Sequence, residues 1–449
     1  MPALDLLLRA PRAILSAAEE PAREGSACVA VRAGRIAAIT SYDNAPVANR
    51  VVELGDDVVL LPGLVDTHVH VNEPGRTDWE GFSTATRAAA AGGITTIIDM
   101  PLNSIPPTID LSALAAKRAA AQGKCHVDVG FWGGAVPSSL SRLHPLHEAG
   151  VFGFKCFLLH SGVDEFPALD NAGLRSALAE LAEFDGLLIV HAEDALTIDN
   201  APDPGGPSYR DFLASRPRAA EHNAIAAVID AAQDTGGRAH ILHLANADAL
   251  GMLREARQKG VRISVETCPH YLSFTAEEVS DGATQFKCCP PIREGENRER
   301  LWDGLRAGDI DCIVSDHSPC TPELKRLDLG DFGAAWGGIS SLQLSLSAVW
   351  TGAQQRGVPL TDVVTWMAER PAALARLTRK GRIATGYDAD FAVFSPDETF
   401  VVEPEQLEHR HSLTPYAGLR LSGMVRESWV RGGETGAQPN GRLLTRGDA

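Results

Sequence analysis

Two histidines separated by a single residue, His68 and His70, are the first sign of chemistry in the sequence Asp66-Thr67-His68-Val69-His70. Alternate side chains of an extended strand point to the same face, so both imidazoles can reach one metal ion. The same spacing also occurs in ordinary histidines near the end of a strand. The pair alone therefore leaves a metal site and a structural role both open.

Three further side chains of metal-binding type each come directly after a short, apolar, β-prone run. They are His191, His243 and Asp316. If each run is a strand of a barrel, its carboxyl end lies at the face where barrel active sites form. The sequence therefore predicts a metal-binding set of five side chains: His68, His70, His191, His243 and Asp316.

Lys155 lies near the end of another such run, Gly153-Phe154-Lys155-Cys156-Phe157. An ordinary lysine is a poor metal ligand, because its usual pKa of about 10.4 keeps it protonated. Burial near cations favours the neutral amine, which can react with carbon dioxide to give an anionic carbamate. The two carbamate oxygens would let Lys155 bridge two metal ions. A buried lysine paired with a carboxylate is the alternative, and spacing alone does not decide between them.

The runs before these residues belong to a longer alternation of β-prone and helical segments. Eight such units within about 300 residues are typical of a (β/α)8 barrel rather than of an open doubly wound sheet. No GxGxxG motif follows the first run, which argues against a dinucleotide-binding sheet. The eight β-prone runs are 58–69, 93–100, 126–133, 151–158, 186–191, 239–244, 261–267 and 310–315.

Both ends of the chain are also β-prone. Near the N-terminus, short alternating runs flank the turn Ala33-Gly34, and similar runs recur after residue 390. Chain termini often lie close together, so the two ends can form one unit. We expect an α/β fold with a TIM-type barrel over residues 61–379 and a small β-sandwich domain built from residues 1–60 and 380–449.

Charge and composition exclude several classes of partner. The 449 residues carry a formal net charge of −17, which disfavours binding to nucleic acid or to an anionic membrane. No apolar run reaches the roughly 20 residues that span a bilayer, and the N-terminus lacks the basic start of a signal peptide. The eight cysteines are scattered without a CxxC pair, so we expect reduced thiols in a cytoplasmic enzyme.

Several motifs give the chain a resemblance to the cyclic amidohydrolases, a family of dihydroorotases, hydantoinases and allantoinases. They are DTHVH at 66–70, GFKCF at 153–157, VHAED at 190–194, LHLAN at 242–246, ETCPHY at 266–271 and SDHSPC at 315–320. The resemblance implies that His68, His70, Lys155 and Asp316 hold one divalent ion. It implies that Lys155, as N6-carboxylysine, holds a second ion with His191 and His243. Zinc is expected, although iron, cobalt and manganese suit the same ligands, and a homotetramer is implied.

Asp316 is the residue to which the resemblance gives a catalytic role. A water molecule between two metal ions loses a proton near neutral pH and attacks the ring amide carbonyl. Asp316 is expected to take that proton and to pass it to the leaving ring nitrogen. No ligand position is missing, so a non-catalytic relative is disfavoured. His270 and His317 have no place in this ligand set, and we interpret them as a second layer or as pocket lining.

The substrate follows from departures within the family. Dihydroorotases have an arginine where this chain has Asn72, although Arg76 remains a possible cation; hydantoinases have a tyrosine where it has His160. Segments such as NEPGRTDWEGF, CCPPIR and WGGISSLQ look like the allantoinase branch. We therefore expect a neutral cyclic ureide as substrate, with (S)-allantoin hydrolysed to allantoate. The alternative is a hydantoinase or dihydropyrimidinase that acts on other cyclic ureides. Candidate substrate contacts are Asn103, His160, Cys289 and Ser318.

Overall fold

The N-terminal part of the chain forms five strands of a mixed sheet. The computed structural model describes residues 4–17 and 20–447. The strands are β1 (Leu4–Ala17), β2 (Glu20–Arg32), β3 (Arg35–Thr40), β4 (Ala48–Glu53) and β5 (Val59–Pro62). Ala33 and Gly34 have φ values of 50° and 77°, as the expected turn between β2 and β3 requires. This sheet presents one apolar face to a core that also receives the C-terminal strands.

Parallel strands form the ring in the middle of the chain. They are β6 (Leu64–Val69), β7 (Ile94–Asp99), β8 (Asp128–Phe131) with its continuation β9 (Gly133–Gly134), β10 (Phe154–Phe157), β11 (Leu187–His191), β12 (Arg238–Ile241), β13 (Ile263–Thr267) and β14 (Cys312–Ile313). Successive strands pair in parallel from β6 to β8 and from β9 to β14. The ring closes where Val69 bridges His317, and the His70 amide donates to the His317 carbonyl at 2.8 Å.

Helices surround the ring and cover its outer face. They are α1 (Phe82–Ala91), α2 (Leu111–Ala121), α3 (Leu143–Glu148), α4 (Asn171–Ala182), α5 (Ala195–Asp199), α6 (Tyr209–Ser215), α7 (Arg218–Thr235), α8 (Leu250–Gln258), α9 (Pro269–Ser273), α10 (Gly295–Ala307), α11 (Ser345–Gln355), α12 (Leu360–Val364) and α13 (Arg370–Leu374). Asp110 and Asp170 cap α2 and α4 by accepting from the amides of Ala113 and Gly173. None of the described helices is long and apolar enough to cross a membrane.

The C-terminal strands complete the terminal sheet. They are β15 (Phe391–Val401), β16 (Arg420–Val430) and β17 (Gly433–Glu434), and the sheet order is β17-β16-β15-β5-β1-β2-β3 with β4 beside β1. β5 pairs with β15, so both ends of the chain build this unit. The predicted fold class is confirmed: a (β/α)8 barrel carries a small β domain made by both termini.

One predicted run, 58–69, contains two strands instead of one. Its first half is β5 of the terminal sheet, and only its second half, β6, enters the barrel. The two halves separate at Pro62-Gly63, where a Cβ atom on Gly63 would lie 2.1 Å from the Thr95 hydroxyl. Apolar composition was shared by both halves, so the sequence pattern did not reveal this break.

Candidate metal centre

His68 and His70 lie at the carboxyl end of β6, with both side chains buried. His68 Nδ1 lies 2.5 Å from Glu266 Oε1, and His70 Nδ1 lies 3.0 Å from the Leu102 carbonyl oxygen. These contacts orient the rings so that both Nε2 atoms face Asp316. The distances from Asp316 Oδ1 are 3.1 Å to His68 Nε2 and 3.7 Å to His70 Nε2. One ring nitrogen held from behind and the other turned inward is the usual arrangement of metal-binding histidines.

His191 and His243 lie on the neighbouring side of the same barrel mouth. Their ring centroids are 4.5 Å apart, and that of His243 is 5.4 Å from that of His68. His191 Nε2 contacts Glu193 at 2.7 Å, and its ring stacks on Phe157. His243 Nδ1 is buried without a hydrogen-bond partner among the described residues. A buried polar atom without a partner is costly and calls for an explanation, which a bound ion would supply.

Lys155 lies on β10 between these two pairs of histidines. Its Nζ atom is 3.5 Å from His68 Nε2, and the residue is 1% exposed. Among the described residues, no carboxylate oxygen lies within 4.0 Å of this nitrogen. Burial lowers the pKa of Lys155 to about 8, so the neutral amine is readily reached. The alternative of a simple ion pair therefore lacks its carboxylate partner.

Asp316 and His243 share an unusual backbone conformation. Their φ values are 44° and 38°, in the left-handed region that non-glycine residues seldom adopt. Such conformations cost about 1–3 kcal/mol and cluster at functional sites. Burial alone would raise the pKa of Asp316, but His68 and its neighbours hold it well below its usual range. The carboxylate is therefore ionised and points at the imidazoles.

The donor set fits divalent metal ions. Burial lowers the pKa values of His70 and His243 well below 6.5, so both rings are neutral, as metal ligands must be. Burial also lowers the pKa of His68, but Asp316 and Glu266 outweigh it and raise that pKa to about 9. The carboxylates of Asp316 and Glu266 therefore favour a positive charge at His68. Ligand atoms of His68, His70 and Asp316 all lie within 4.8 Å of one another.

Two glutamates behind the histidines were missed in the sequence analysis. Glu266 contacts His68 through one oxygen and His240 through the other, at 3.0 Å. Burial would raise the pKa of Glu266, but His68 lowers it to about 2. Glu193 contacts His191 and also accepts a hydrogen bond from Arg216 at 2.5 Å. A signal was available for Glu266, because it is a charged residue within the otherwise uncharged strand β13.

A cavity of about 570 Å³ opens above these ligands. All four candidate substrate contacts line it: Asn103, His160, Cys289 and Ser318. Asn103 is 7% exposed and donates through Nδ2 to Asn72 Oδ1 at 3.2 Å. The Ser318 hydroxyl donates to the Asp316 carbonyl at 2.8 Å and accepts from the Ile339 amide. Ser318 therefore fixes the backbone of Asp316 in addition to lining the cavity.

His160 lies at the outer edge of the cavity. Its side chain is 66% exposed and stands 3.3 Å from Asp164. Its Nδ1 atom accepts from the Gly162 amide at 3.1 Å. The ring is therefore held by its own loop in this structure, and a hydrogen bond from it to a reacting oxygen stays a prediction.

The remaining polar candidates lie outside the cavity lining. Arg76 pairs with Glu165 at 2.5 Å and donates to the Asn103 carbonyl, so its charge is already neutralised. His317 contacts Glu80 at 3.0 Å, where it supports barrel closure. His270 is fully buried, and neither of its ring nitrogens has a partner among the described residues. Arg216 and Lys287, in contrast, line the cavity and were not singled out in the sequence.

Comparison with known proteins places this geometry in context. Residues 59–435 match the model of the amidohydrolase family. The chain is 57% identical over 449 residues to an allantoinase of Streptomyces avermitilis, covering 99% of each chain. It is 46% identical over 388 residues to the allantoinase of Saccharomyces cerevisiae, covering 85% of this chain and 84% of that one. An L-hydantoinase (dihydropyrimidinase) from Arthrobacter aurescens has a similar structure, with a TM-score of 0.92, 30% identity and coverage of 99% and 100%.

Proposed function

The chain belongs to the amidohydrolase family, in its allantoinase branch, and on that premise we propose how its residues hydrolyse a ring amide of allantoin. The reaction class is hydrolysis of a cyclic amide C–N bond, with allantoin and water giving allantoate. The observation that carries the account is the convergence of four histidines, Lys155 and Asp316 at one barrel mouth under a substrate-sized cavity. Barrel active sites form at this carboxyl face.

We propose that the ligands divide between two divalent ions. His68, His70, Lys155 and Asp316 would hold one ion, and Lys155, His191 and His243 would hold the other. Zinc is the expected metal, since imidazole and carboxylate ligands suit it. When bound, the ions supply an activated water near neutral pH and polarise the carbonyl of the substrate.

Lys155 would serve as the bridge after carboxylation. Its neutral amine attacks carbon dioxide, forms an N–C bond and releases one proton, which leaves an anionic carbamate with two oxygens. Support for this step comes from burial, from a pKa near 8 and from the lack of a carboxylate partner within the described chain. Aromatic contact with Phe157, whose ring centre lies 5.0 Å from Nζ, shields the amine from solvent.

Asp316 would move the proton during ring opening. It would take the proton from the attacking water and deliver it to the ring NH as the C–N bond breaks, so that the product gains a carboxyl group and an NH2 group. Its carboxylate is ionised at neutral pH and therefore can accept a proton. The Ser318 hydroxyl holds the Asp316 backbone while this happens.

The residues that we assign to the ring suit a neutral substrate. Asn103 and the backbone around Cys289 are assigned to hydrogen bonds with the ring, and His160 to its outer side. Arg76 cannot serve as the fixed cation that dihydroorotate needs, because Glu165 already neutralises it. A neutral ureide requires donors and acceptors of this kind more than a free cation.

A substrate panel tests the proposal. Initial rates would be measured with racemic allantoin, hydantoin, dihydrouracil and dihydroorotate on protein purified with its own metal. We expect the highest kcat/KM with allantoin. The structural similarity to hydantoinases keeps a hydantoinase or dihydropyrimidinase as the second candidate, and greatest activity on dihydrouracil would overturn the choice.

Two further features are proposed for the protein as a whole. All eight cysteines are free, and seven are buried, which suits a reducing compartment such as the cytoplasm. We also propose a homotetramer, on the family resemblance alone. Light scattering on the purified protein would test the oligomeric state, and a monomer at micromolar concentration would contradict it.

A further inference from the structure

Lys287 contributes a cation to the cavity wall that none of the proposed catalytic steps uses. Its ammonium donates to the carbonyl oxygens of Ala335 at 2.5 Å and Gly333 at 3.2 Å. Both carbonyls belong to the segment 333–338, which also lines the cavity. The residue is 9% exposed, so this charge lies almost wholly inside the protein.

A second lysine holds Lys287 in place. Lys325 is 4% exposed, and its ammonium donates to the carbonyl oxygens of Lys287, at 3.2 Å, and of Gly338. The Gly338 amide returns a bond to the Lys287 carbonyl at 2.8 Å. A side chain at position 338 is not possible here, because a Cβ atom would lie 2.1 Å from the Ser318 carbonyl oxygen. The wall that carries Lys287 is therefore built with a defined geometry.

Neither lysine has an anionic partner. Among the described residues, no carboxylate oxygen lies within 4.0 Å of either ammonium. Burying a charge without a counter-ion is costly, and burial lowers the pKa of both side chains. A wall that served only to fill space would be cheaper with apolar side chains, so the charge calls for a reason.

Lys287 also has a donor to spare. An ammonium carries three N–H groups, and Ala335 and Gly333 take two of them. No third acceptor lies within hydrogen-bond distance in the described part of the chain. Phe212, which also lines the cavity, has its ring centre 5.5 Å from Nζ and covers another side of the group. The third N–H therefore has no protein partner in the described part of the chain, and the residue that carries it lines the cavity.

We propose that Lys287 is a specificity residue, which donates this N–H to the carbonyl oxygen of the ureido substituent of the substrate. The inference rests on the proposed function. The scissile ring amide must lie at Asp316 and His243, so a ring substituent extends along the cavity towards its other walls. Lys325 acts as a positioning residue, because it holds the main chain of Lys287.

Comparison of two substrates in the Lys287→Met variant tests this contact. Hydantoin has the same ring as allantoin but no ureido arm, so any effect on the shared ring contacts cancels in the ratio of their kcat/KM values. A hydrogen bond from a charged donor is worth about 10-fold to 100-fold in binding. We expect the allantoin-to-hydantoin ratio to fall by that factor, chiefly through KM. Equal losses with both substrates would overturn the assignment.

One control variant and one further measurement keep the outcome decisive. Lys259→Met changes an exposed lysine just after α8 and should leave the ratio unchanged. If Lys287→Met does not fold, the wild-type protein itself gives the answer with 5-propylhydantoin, which matches the arm in length but lacks its carbonyl. Allantoin should be the better substrate by about 10-fold or more, and equal kcat/KM values would contradict the contact. Wild-type protein that opens hydantoin but not allantoin would instead overturn the proposed function.

Discussion

Two clusters of buried charge lie at opposite ends of the barrel, and they are built in opposite ways. The lower cluster surrounds Lys380, whose ammonium lies 2.7 Å from Asp128, 2.7 Å from Asp390 and 3.0 Å from Asp388. Arg431 adds a second cation on Asp128. Burial would lower the pKa of Lys380, but the three carboxylates raise it above its usual value. Every charged group in this cluster has a partner of opposite charge within the protein.

The upper cluster, formed by the candidate metal ligands at the barrel mouth, contains polar groups that have no such partner in the described part of the chain. His243 Nδ1 has no partner, and Lys155 has no carboxylate within 4.0 Å, among the described residues. Both clusters contain three close ligand groups that would suit a metal ion. In the lower one, however, Lys380 already occupies the space between the carboxylates. Buried charge alone therefore does not indicate a functional site. Buried polar groups without a protein partner at a barrel mouth do indicate one.

The largest expected effect comes from replacing Asp316, the proposed proton carrier of the upper cluster. Asp316→Asn should keep most of the metal but lower kcat by about 100-fold to 10,000-fold, the usual contribution of a general acid–base group. Steady-state kinetics with allantoin and metal analysis of the same sample would measure both quantities. Asp199→Asn, an exposed carboxylate in the same cavity lining, is the matched control. Near-normal kcat in Asp316→Asn would remove it from the mechanism.

Removal of the central cation should break the lower cluster without touching the chemistry. Lys380→Met removes the cation that the three carboxylates share. Asp128 keeps Arg431, but Asp390 stays buried without a cation within 4.0 Å among the described residues, and such a loss costs about 3–5 kcal/mol. The free energy of unfolding in urea should fall by that amount, while kcat of the folded enzyme stays unchanged. Lys259→Met serves as the exposed control. A Lys380→Met protein as stable as the wild type would show that Lys380 does not hold the cluster together.

Glu266 lies in the upper cluster behind the candidate ligand His68, and it contacts the ring nitrogen of His68 that faces away from Asp316. Glu266→Gln keeps the shape but weakens the hold on His68 Nδ1. Loss of such a supporting group typically costs about 10-fold to 100-fold in metal affinity. Competition with a chelator would measure it, with Glu255→Gln on the exposed face of α8 as control. Unchanged affinity would mean that the glutamate only fills space.

An exposed ion pair at the lower end should matter least. Asp185 contacts Arg262 and Arg376, and although slight burial raises its pKa, these arginines lower it to about 2. A depressed pKa contributes stability above the unfolded value of about 3.8, and this stability is lost as pH falls towards 2. Asp185→Asn should therefore cost less than about 1 kcal/mol at pH 7. Unfolding curves of the variant and the wild type should converge between pH 4 and pH 2, and a gap that widens there would contradict the assignment.

Much of the barrel could be predicted, and so could the meeting of the candidate metal ligands at its mouth, since each candidate lies in or just after an apolar run. The fold class follows from the same alternation of strands and helices. The charge of Glu266 within an otherwise uncharged strand was a signal, but its partner could not be predicted, because Glu266 and His68 are separated by 198 positions in the chain. Lys380 and Asp128 meet across 252 positions for the same reason. Such pairs depend on the tertiary arrangement and leave no local pattern.

Loop side chains were harder to place than strand ends. His160 and Ser318 were both expected at the substrate, and both line the cavity. The direction of a loop side chain depends on its neighbours, and His160 turns towards Asp164 while Ser318 turns towards the Asp316 backbone. Arg76 was a possible substrate cation until Glu165, 89 positions away, was found against it.

Elemental analysis of protein purified without added metal tests the central claim most directly. Wild-type protein and Lys155→Ala would be compared, with allantoin hydrolysis assayed on the same samples. The account predicts about two divalent ions per chain in the wild type, and loss of metal together with activity in the variant. Full activity in wild-type protein that carries no metal, or a Lys155→Ala variant that keeps both ions and full turnover, would contradict it.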